Sequence, residues 1–407
     1  MERFGLLGGR LGHSLSPQIH GYFGDYPYDL IEKEANELAA FFAAPPYRAI
    51  NVTIPYKKDV IPFCDELDDV ARRIGSVNTI RFDDDAVRGY NTDYYGLRYL
   101  LEKNRIPVAG RKVLVLGSGG SAVTARCVLG DLQAKEIVII SRSGENNYEN
   151  LDRHADAGLI VNTTPVGMFP KNLVSPIDLA QFPVCEAVVD IIYNPLKTRL
   201  LLDAEARGLP AVNGLEMLVA QGKRAAEIFF GRALDDALVE STVQSMEREF
   251  RNVVLVGMPG CGKSTVGRLL SKSLGKPFLD TDTMVEETAQ RAIPAIIAAE
   301  GEASFRDREQ AAVEEAGKQL GSVIATGGGA VLREQNRLAL RQNACVVFLE
   351  RPIEELATDG RPLSKGGRAL EELYEKRLPL YRAVSDHAVA VDRDPEETCR
   401  RILEVLK

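Results

Sequence analysis

The sequence contains no Cys-x-x-Cys pair, and its six cysteines, at 64, 127, 185, 261, 345 and 399, are scattered along the chain. That spacing argues against a zinc site or a disulfide framework and suits a reducing cytoplasm. Basic residues are not in excess. Fifty lysines and arginines face 58 aspartates and glutamates, for a formal net charge of −8, whereas nucleic-acid binders concentrate cations to meet phosphate. No apolar run approaches the length of a bilayer span. The opening Met1-Glu2-Arg3-Phe4-Gly5 lacks the basic-then-apolar order of a secretory leader. Also missing is a dense Ser/Gly/Pro linker of the kind that joins loosely tethered domains.

What the sequence does have is enough chain for more than one core: 407 residues, 45% of them hydrophobic and 27% charged. Two continuous apolar runs end in glycine, at Lys112–Gly117 and Asn252–Gly257. Each reads as a buried parallel strand followed by its own αβ alternation. Runs roughly 140 residues apart predict two nucleotide-binding units rather than one. Residues 235–251 read as a charged amphipathic helix leading into the second unit, with a boundary near Arg248.

The second run continues as Gly257-Met258-Pro259-Gly260-Cys261-Gly262-Lys263-Ser264-Thr265, a Walker A pattern at every defined position. Apolar residues at 266, 269, 270 and 274 predict the helix that must follow. Such a loop wraps phosphate oxygens in backbone amides, and the helix terminus adds positive potential. Lys263 would reach the β- and γ-phosphates of ATP, and Ser264 would hold Mg²⁺. A chance lysine in a glycine turn is the plain alternative, but the flanking strand and helix disfavour it. Downstream, Asp280 and Asp282 are expected on one face of a strand end, since alternate side chains share a face. Arg306 follows, with Glu309 one turn later. Gly327-Gly328-Gly329 closes another strand, and Arg361 and Arg377 lie beyond it. Singly these residues have ordinary explanations as salt bridges, caps and loops; their order behind a complete Walker loop points to a site.

Over about residues 250–407 this ensemble closely resembles shikimate kinase. The resemblance implies ATP on Gly257, Gly260, Cys261, Gly262, Lys263, Ser264 and Thr265, with Mg²⁺ held by Ser264 and Asp280. It implies shikimate on Asp282, Arg306, Arg377 and the backbone of Gly327, Gly328 and Gly329. Asp282 would be the base at the 3-hydroxyl, and Arg361 would close a lid over the transferring phosphate. Arginine forks suit a carboxylated substrate. The segment 354–373 is short for the family's lid, and Asp359-Gly360 stands where a further arginine is often found.

The first run carries Gly117-Ser118-Gly119-Gly120-Ser121-Ala122, a dinucleotide-binding pattern between strand and helix. After the next strand comes Ser141-Arg142 rather than the acid that binds a free ribose, which favours NADP. Upstream lie polar clusters in apolar surroundings: Ser14 and Ser16 ahead of a helix, Asn51 and Thr53 sharing a face, Lys57 after a proline bend, Asn78, and Asp93. An N-cap would account for one of the serines, and a solvated lysine for Lys57 alone.

Together these residues closely resemble shikimate dehydrogenase over about residues 1–245. The resemblance implies Lys57 and Asp93 as the catalytic pair. Shikimate would be bound by Ser14, Ser16, Asn51, Thr53, Asn78, Tyr193 and Gln221. NADP would meet the glycine loop, Ser141, Arg142, Asn162, Thr163, Met168 and Gly214. The expected fold class is α/β: a two-lobed dehydrogenase, with an α/β substrate lobe (1–95 and 214–245) and a Rossmann NADP lobe (96–213), then a P-loop, NMP-kinase-like parallel-sheet domain from 249. The stretch 143–158 is short for a full βα unit, so the NADP lobe should be trimmed there. The two resemblances together imply a bifunctional enzyme that reduces 3-dehydroshikimate with NADPH and phosphorylates the product. The alternatives are a ligand sensor built from these folds, or a quinate/shikimate dehydrogenase joined to another small-metabolite kinase. A sensor could shed Lys57, Asp93, Lys263 and Asp282, yet all four are present.

Overall fold

Both glycine-terminated runs form interior strands of parallel sheets. The computed structural model describes residues 2–12, 14–356 and 367–406. The chain divides into two compact units. One comprises Met1–Val166, Ser175–Tyr193 and Leu200–Ser245; the other comprises Gly167–Val174, Asn194–Arg199 and Met246–Lys407.

The first unit holds two sheets. The N-terminal sheet contains β1 (Phe4–Gly8), β2 (Tyr28–Glu32), β3 (Ala49–Val52), β4 (Glu66–Leu67), β5 (Thr79–Phe82) and β6 (Val87–Tyr90), in the order β2-β1-β3-β5-β6-β4. β1 runs parallel to β2 and β3, whereas β5 is antiparallel to β3 and β6. Helices α1 (Ser16–Phe23), α2 (Leu38–Ala43) and α3 (Asp69–Ile74) accompany it, and α4 (Thr92–Lys103) leads to the second sheet.

That sheet is wholly parallel, in the order β11-β10-β9-β7-β8. Its strands are β7 (Lys112–Leu116), β8 (Glu136–Ile140), β9 (Leu159–Asn162), β10 (Ala187–Asp190) and β11 (Ala211–Val212), with helices α5 (Gly120–Asp131) and α6 (Arg199–Ala206). Val113 and Val115 enter one apolar core while Leu114 and Leu116 enter another, so both faces of β7 are covered. This is why its sequence is continuously apolar rather than alternating. Between β8 and β9 there is no α-helix, only the 3-10 turn Leu151–His154. Asn147 and Asn150 there bond to nearby backbone: the Asn147 amide donates to Asn150 Oδ1 (2.9 Å), and Asn150 Nδ2 donates to the Glu145 carbonyl (2.8 Å). Such bonds compete with helix formation. The expected trimming of this lobe is present. Helix α7 (Leu215–Phe230) returns to pack along α4 and α1, and α8 (Ala237–Phe250) follows.

The second unit is built on one parallel sheet in the order β13-β14-β12-β15-β16. Its strands are β12 (Asn252–Val256), β13 (Phe278–Asp280), β14 (Val323–Ala325), β15 (Ala344–Glu350) and β16 (His387–Ala390). The helices are α9 (Lys263–Leu274), α10 (Thr281–Ala289), α11 (Ile293–Lys318), α12 (Glu334–Arg341), α13 (Gly367–Val384) and α14 (Pro395–Val405). α11 is broken at Gly301, whose φ of 84° no helix accommodates. In both parallel sheets the glycine loop follows the strand at which the order reverses, which opens a crevice at the strand ends. The architecture is α/β throughout. No helix among the described residues is long and apolar enough to cross a membrane.

Candidate active sites

Three cavities gather most of the residues singled out in the sequence. The first, about 360 Å³, lies in the N-terminal unit and is lined by Ser14, Ser16, Asn51, Thr53, Lys57, Asn78, Asp93, Tyr193 and Gln221, among others. Lys57 Nζ donates to Asp93 Oδ2 at 2.6 Å. Each partner is fixed by local structure. The Lys57 carbonyl accepts from the Val77 amide at 2.7 Å. Asp93 stands in the first turn of α4, whose N-cap Asn91 accepts from the Tyr94 amide.

Behind this pair runs a chain of neutral hydrogen bonds. Tyr28 Oη donates to Asn51 Oδ1 (2.9 Å), and Asn51 Nδ2 donates to Thr79 Oγ1 (3.0 Å). Asn78 Nδ2 donates to Thr92 Oγ1 (3.0 Å), the Thr92 amide donates to Asn78 Oδ1 (2.7 Å), and Thr92 Oγ1 donates to Gln221 Oε1 (3.2 Å). Thr79 and Thr92 are fully buried, and they hold three of the cavity's amide side chains in fixed orientations. In the sequence, Thr79 and Thr92 stand only as members of the polar stretches Ser76-Val77-Asn78-Thr79 and Asn91-Thr92-Asp93, not as site residues, and Tyr28 is not marked at all.

The second cavity, about 690 Å³, lies at the ends of β7, β8 and β9. It is lined by Gly117, Ser118, Gly119, Ser141, Arg142 and Thr163, together with Tyr148. Gly117 has φ of +106°, and a Cβ there would stand 2.9 Å from Thr163 Oγ1, so the loop requires glycine. Arg142 is exposed and has no ion-pair partner among the described residues. Gly120, Ser121 and Ala122 form the first turn of α5 and do not line the cavity. Asn162 is fully buried: its Nδ2 donates to Asp190 Oδ1 (3.0 Å) and its Oδ1 accepts from the Thr164 amide (3.0 Å), so it shapes the loop from behind. Met168 and Gly214 also lie off this lining; Gly214 caps α7.

The third cavity, about 420 Å³, belongs to the C-terminal unit and joins the Walker loop to the downstream set. Its lining includes Gly260, Gly262, Lys263, Ser264, Thr265, Asp280, Asp282, Arg306, Glu309, the triplet Gly327–Gly329 and Arg377. Gly257 and Cys261, though part of the loop, do not line the cavity, and Cys261 is fully buried. Lys263 Nζ donates to the Gly257 and Met258 carbonyls, both at 2.9 Å, which folds the loop around its own lysine.

One expectation needs correcting. Asp280 and Asp282 do not share a strand face. Asp280 ends β13 and caps α10, its Oδ1 accepting from the Asp282 amide at 3.1 Å, so Asp282 lies in the first helical turn. An aspartate's preference for the cap position bends the chain there, yet both carboxylates still line the cavity.

Ser264 Oγ donates to Asp280 Oδ2 at 2.6 Å. A hydroxyl and a carboxylate at one point fit Mg²⁺, which takes few protein ligands and completes its shell with water and phosphate. The glycine triplet is explained by crowding. A Cβ on Gly327 would stand 2.5 Å from Asp282 Oδ1 and 2.7 Å from Glu309 Oε1, and one on Gly329 would strike the Arg306 guanidinium. Arg306 Nη1 donates to Glu309 Oε2 at 2.7 Å. Glu309 Oε1 and Arg377 Nε are buried without a hydrogen-bond partner. Burial, then the carboxylates of Asp280 and Glu309, push Asp282 up to about 6. Arg361 lies outside the described residues.

Comparison with known proteins finds two families along the chain. A family model for the shikimate dehydrogenase substrate binding domain matches residues 6–80, and one for shikimate kinase matches residues 259–407. The NADP(+) shikimate dehydrogenase of Clostridium beijerinckii is 36% identical over 270 residues, spanning 62% of this chain and all of that protein. Its counterpart from Dehalococcoides mccartyi is 41% identical over 263 residues, 56% of this chain and 89% of that one. Among solved structures, a chorismate mutase/shikimate 5-dehydrogenase fusion from Clostridium acetobutylicum aligns with a TM-score of 0.58 at 35% identity, over 60% of this chain and 97% of that one. Shikimate 5-dehydrogenase from Thermus thermophilus, in complex with NADP(H) and shikimate, aligns with a TM-score of 0.54 at 30% identity, over 60% of this chain and 99% of that one. The chain belongs to the shikimate dehydrogenase family and carries a shikimate kinase domain in its C-terminal region.

Proposed function

We propose that this chain catalyses two consecutive steps: NADPH-dependent reduction of 3-dehydroshikimate to shikimate, then ATP-dependent phosphorylation of shikimate at the 3-hydroxyl. The dehydrogenase occupies about 1–248, with a substrate lobe at 1–95 and 214–245 and a cofactor lobe at 96–213; the kinase occupies 249–407. A cytoplasmic setting suits both. The observation that carries the reading is one chain with a Lys57–Asp93 pair in an amide-lined cavity and a Walker loop opening onto Asp282, Arg306 and Arg377.

In the first step NADPH supplies the hydride to the 3-keto carbon. Lys57 donates a proton to the oxygen that becomes alkoxide, and Asp93 keeps the ammonium aimed at that oxygen. Asn51, Asn78 and Gln221 hold the ring hydroxyls, with their amides locked by Thr79 and Thr92. Arg142 accepts the 2′-phosphate of the cofactor.

In the second step Asp282 takes the proton from the 3-hydroxyl as that oxygen attacks the γ-phosphorus of ATP. A carboxylate raised to about 6 suits a base working near neutrality. Arg306 and Arg377 hold the substrate carboxylate, and Lys263 neutralises charge on the phosphates. Mg²⁺ on Ser264 and Asp280 would balance the remaining phosphate charge.

The test supplies 3-dehydroshikimate, NADPH and Mg·ATP to the purified chain and follows NADPH oxidation and ADP release together. One ADP should appear for each NADPH consumed. Absence of both shikimate and shikimate 3-phosphate among the products rules the proposal out.

A further inference from the structure

Arg10 lines the first cavity, although none of the motifs above includes it. Its side chain is exposed and has no hydrogen-bond or ion-pair partner among the described residues. Glu32, the carboxylate that meets this loop, instead accepts from the Leu11 amide at 2.7 Å. The other charged residues lining the cavity are Lys57 and Asp93, and they compensate each other at 2.6 Å. Arg10 is therefore the lining's uncompensated charge, and it is positive.

The cavity also has a direction. Arg10 shares the β1–α1 connection with Ser14 and Ser16. The Ser16 amide donates to Ser14 Oγ at 3.2 Å, which leaves the Ser14 hydroxyl proton free to point into the cavity. Helix α1 begins at Ser16, whose amide is taken by Ser14, and Pro17 has no N–H to offer, so the donors on this connection are side chains. A guanidinium and a hydroxyl donor thus gather on this connection.

We infer that Arg10 is a substrate-binding residue of the dehydrogenase: it draws in the substrate carboxylate and seats it against Ser14 and Ser16, so that the 3-keto group meets Lys57. The inference rests on the dehydrogenase reading proposed above. A mono-anionic substrate matches the single unbalanced positive charge of the lining, and a charge in a cleft raises capture as well as affinity.

The test measures KM and kcat for 3-dehydroshikimate, and for its carboxamide analogue, with the full chain carrying Arg10, Arg10→Gln or Arg10→Lys. Arg10→Gln should raise KM for the carboxylate roughly tenfold, with kcat changed less than about twofold, and should flatten the dependence of KM on salt. Arg10→Lys should recover much of the loss, and the carboxamide should barely distinguish the three proteins. Phosphorylation of supplied shikimate should be the same in all three, which reports intact folding. An unchanged KM in Arg10→Gln, or an equal rise for the carboxamide, overturns the role of Arg10 while leaving the dehydrogenase reading in place. No reduction of 3-dehydroshikimate by the unaltered chain overturns that reading itself.

Discussion

The dehydrogenase cavity and the kinase cavity prepare for the same ring in opposite ways. Around Asn51, Asn78 and Gln221 the protein uses neutral amides and hydroxyls, with buried Thr79 and Thr92 bonded into a continuous chain. Around Asp282 it crowds three carboxylates, with Glu309 Oε1 and Arg377 Nε buried and unpartnered. The amide network of the first cavity is paired before its ligand arrives. The second holds polar atoms that lack partners within the protein, and a bound carboxylate and phosphate would supply them. Neutral networks gain stability when every group is paired, whereas clustered like charges store a cost that a ligand relieves.

The largest expected effects separate the two chemistries. Lys57→Met should lower dehydrogenase kcat by about a thousandfold, within the range for a lost general acid, and leave phosphorylation of supplied shikimate intact. Lys263→Ala should do the converse, lowering kinase turnover by some hundreds-fold. Steady-state assays of each half-reaction read both. If either substitution silences both reactions in folded protein, the two sites are not the independent centres described here.

The next test uses pH. Asp282 must be ionised to accept a proton, so kinase kcat/KM should fall as pH drops through about 6. Its pKa is raised on folding, so its favourable contribution exists below the unfolded value near 4 and is lost as pH climbs through about 6. At pH 7 the ionised group therefore weakens the unliganded unit. Asp282→Asn should abolish most phosphorylation while stabilising that unit by something of order 1–2 kcal/mol, visible by calorimetry without ligands. Thr92→Val should behave oppositely: dehydrogenase KM rises roughly tenfold and stability falls, because Asn78 and Gln221 lose a buried partner. Equal signs for the two stability changes would erase the contrast between the cavities. The smallest effect is expected at Arg142, where Arg142→Gln should weaken NADPH by roughly fivefold relative to NADH, measured as a ratio of kcat/KM values.

Much of this could be read in the sequence because the chemistry depends on short contiguous signatures. A Walker loop needs its glycines, lysine and hydroxyl in fixed order, so Gly260, Gly262, Lys263 and Ser264 named their cavity unaided. The continuous apolar runs of β7 and β12 likewise follow from burial on both faces. Asp280 ends its strand as expected, but Asp282 falls in the following helix, because the pattern Asp-x-Asp fits a strand end and a helix cap equally well. Thr79 and Thr92 escaped notice as supports because their partners come from β3 and α7, far along the chain. Arg10 is recognisable only once Lys57 and Asp93 are seen to neutralise each other in space.

The central claim is that one chain carries both reactions at separate centres. Its most direct test is product analysis by mass spectrometry after incubation with 3-dehydroshikimate, NADPH and Mg·ATP. The unaltered chain should yield shikimate 3-phosphate, Lys263→Ala should stop at shikimate, and Lys57→Met should yield neither unless shikimate is supplied. Accumulation of shikimate by the unaltered chain, with no 3-phosphate at any time, would contradict the account.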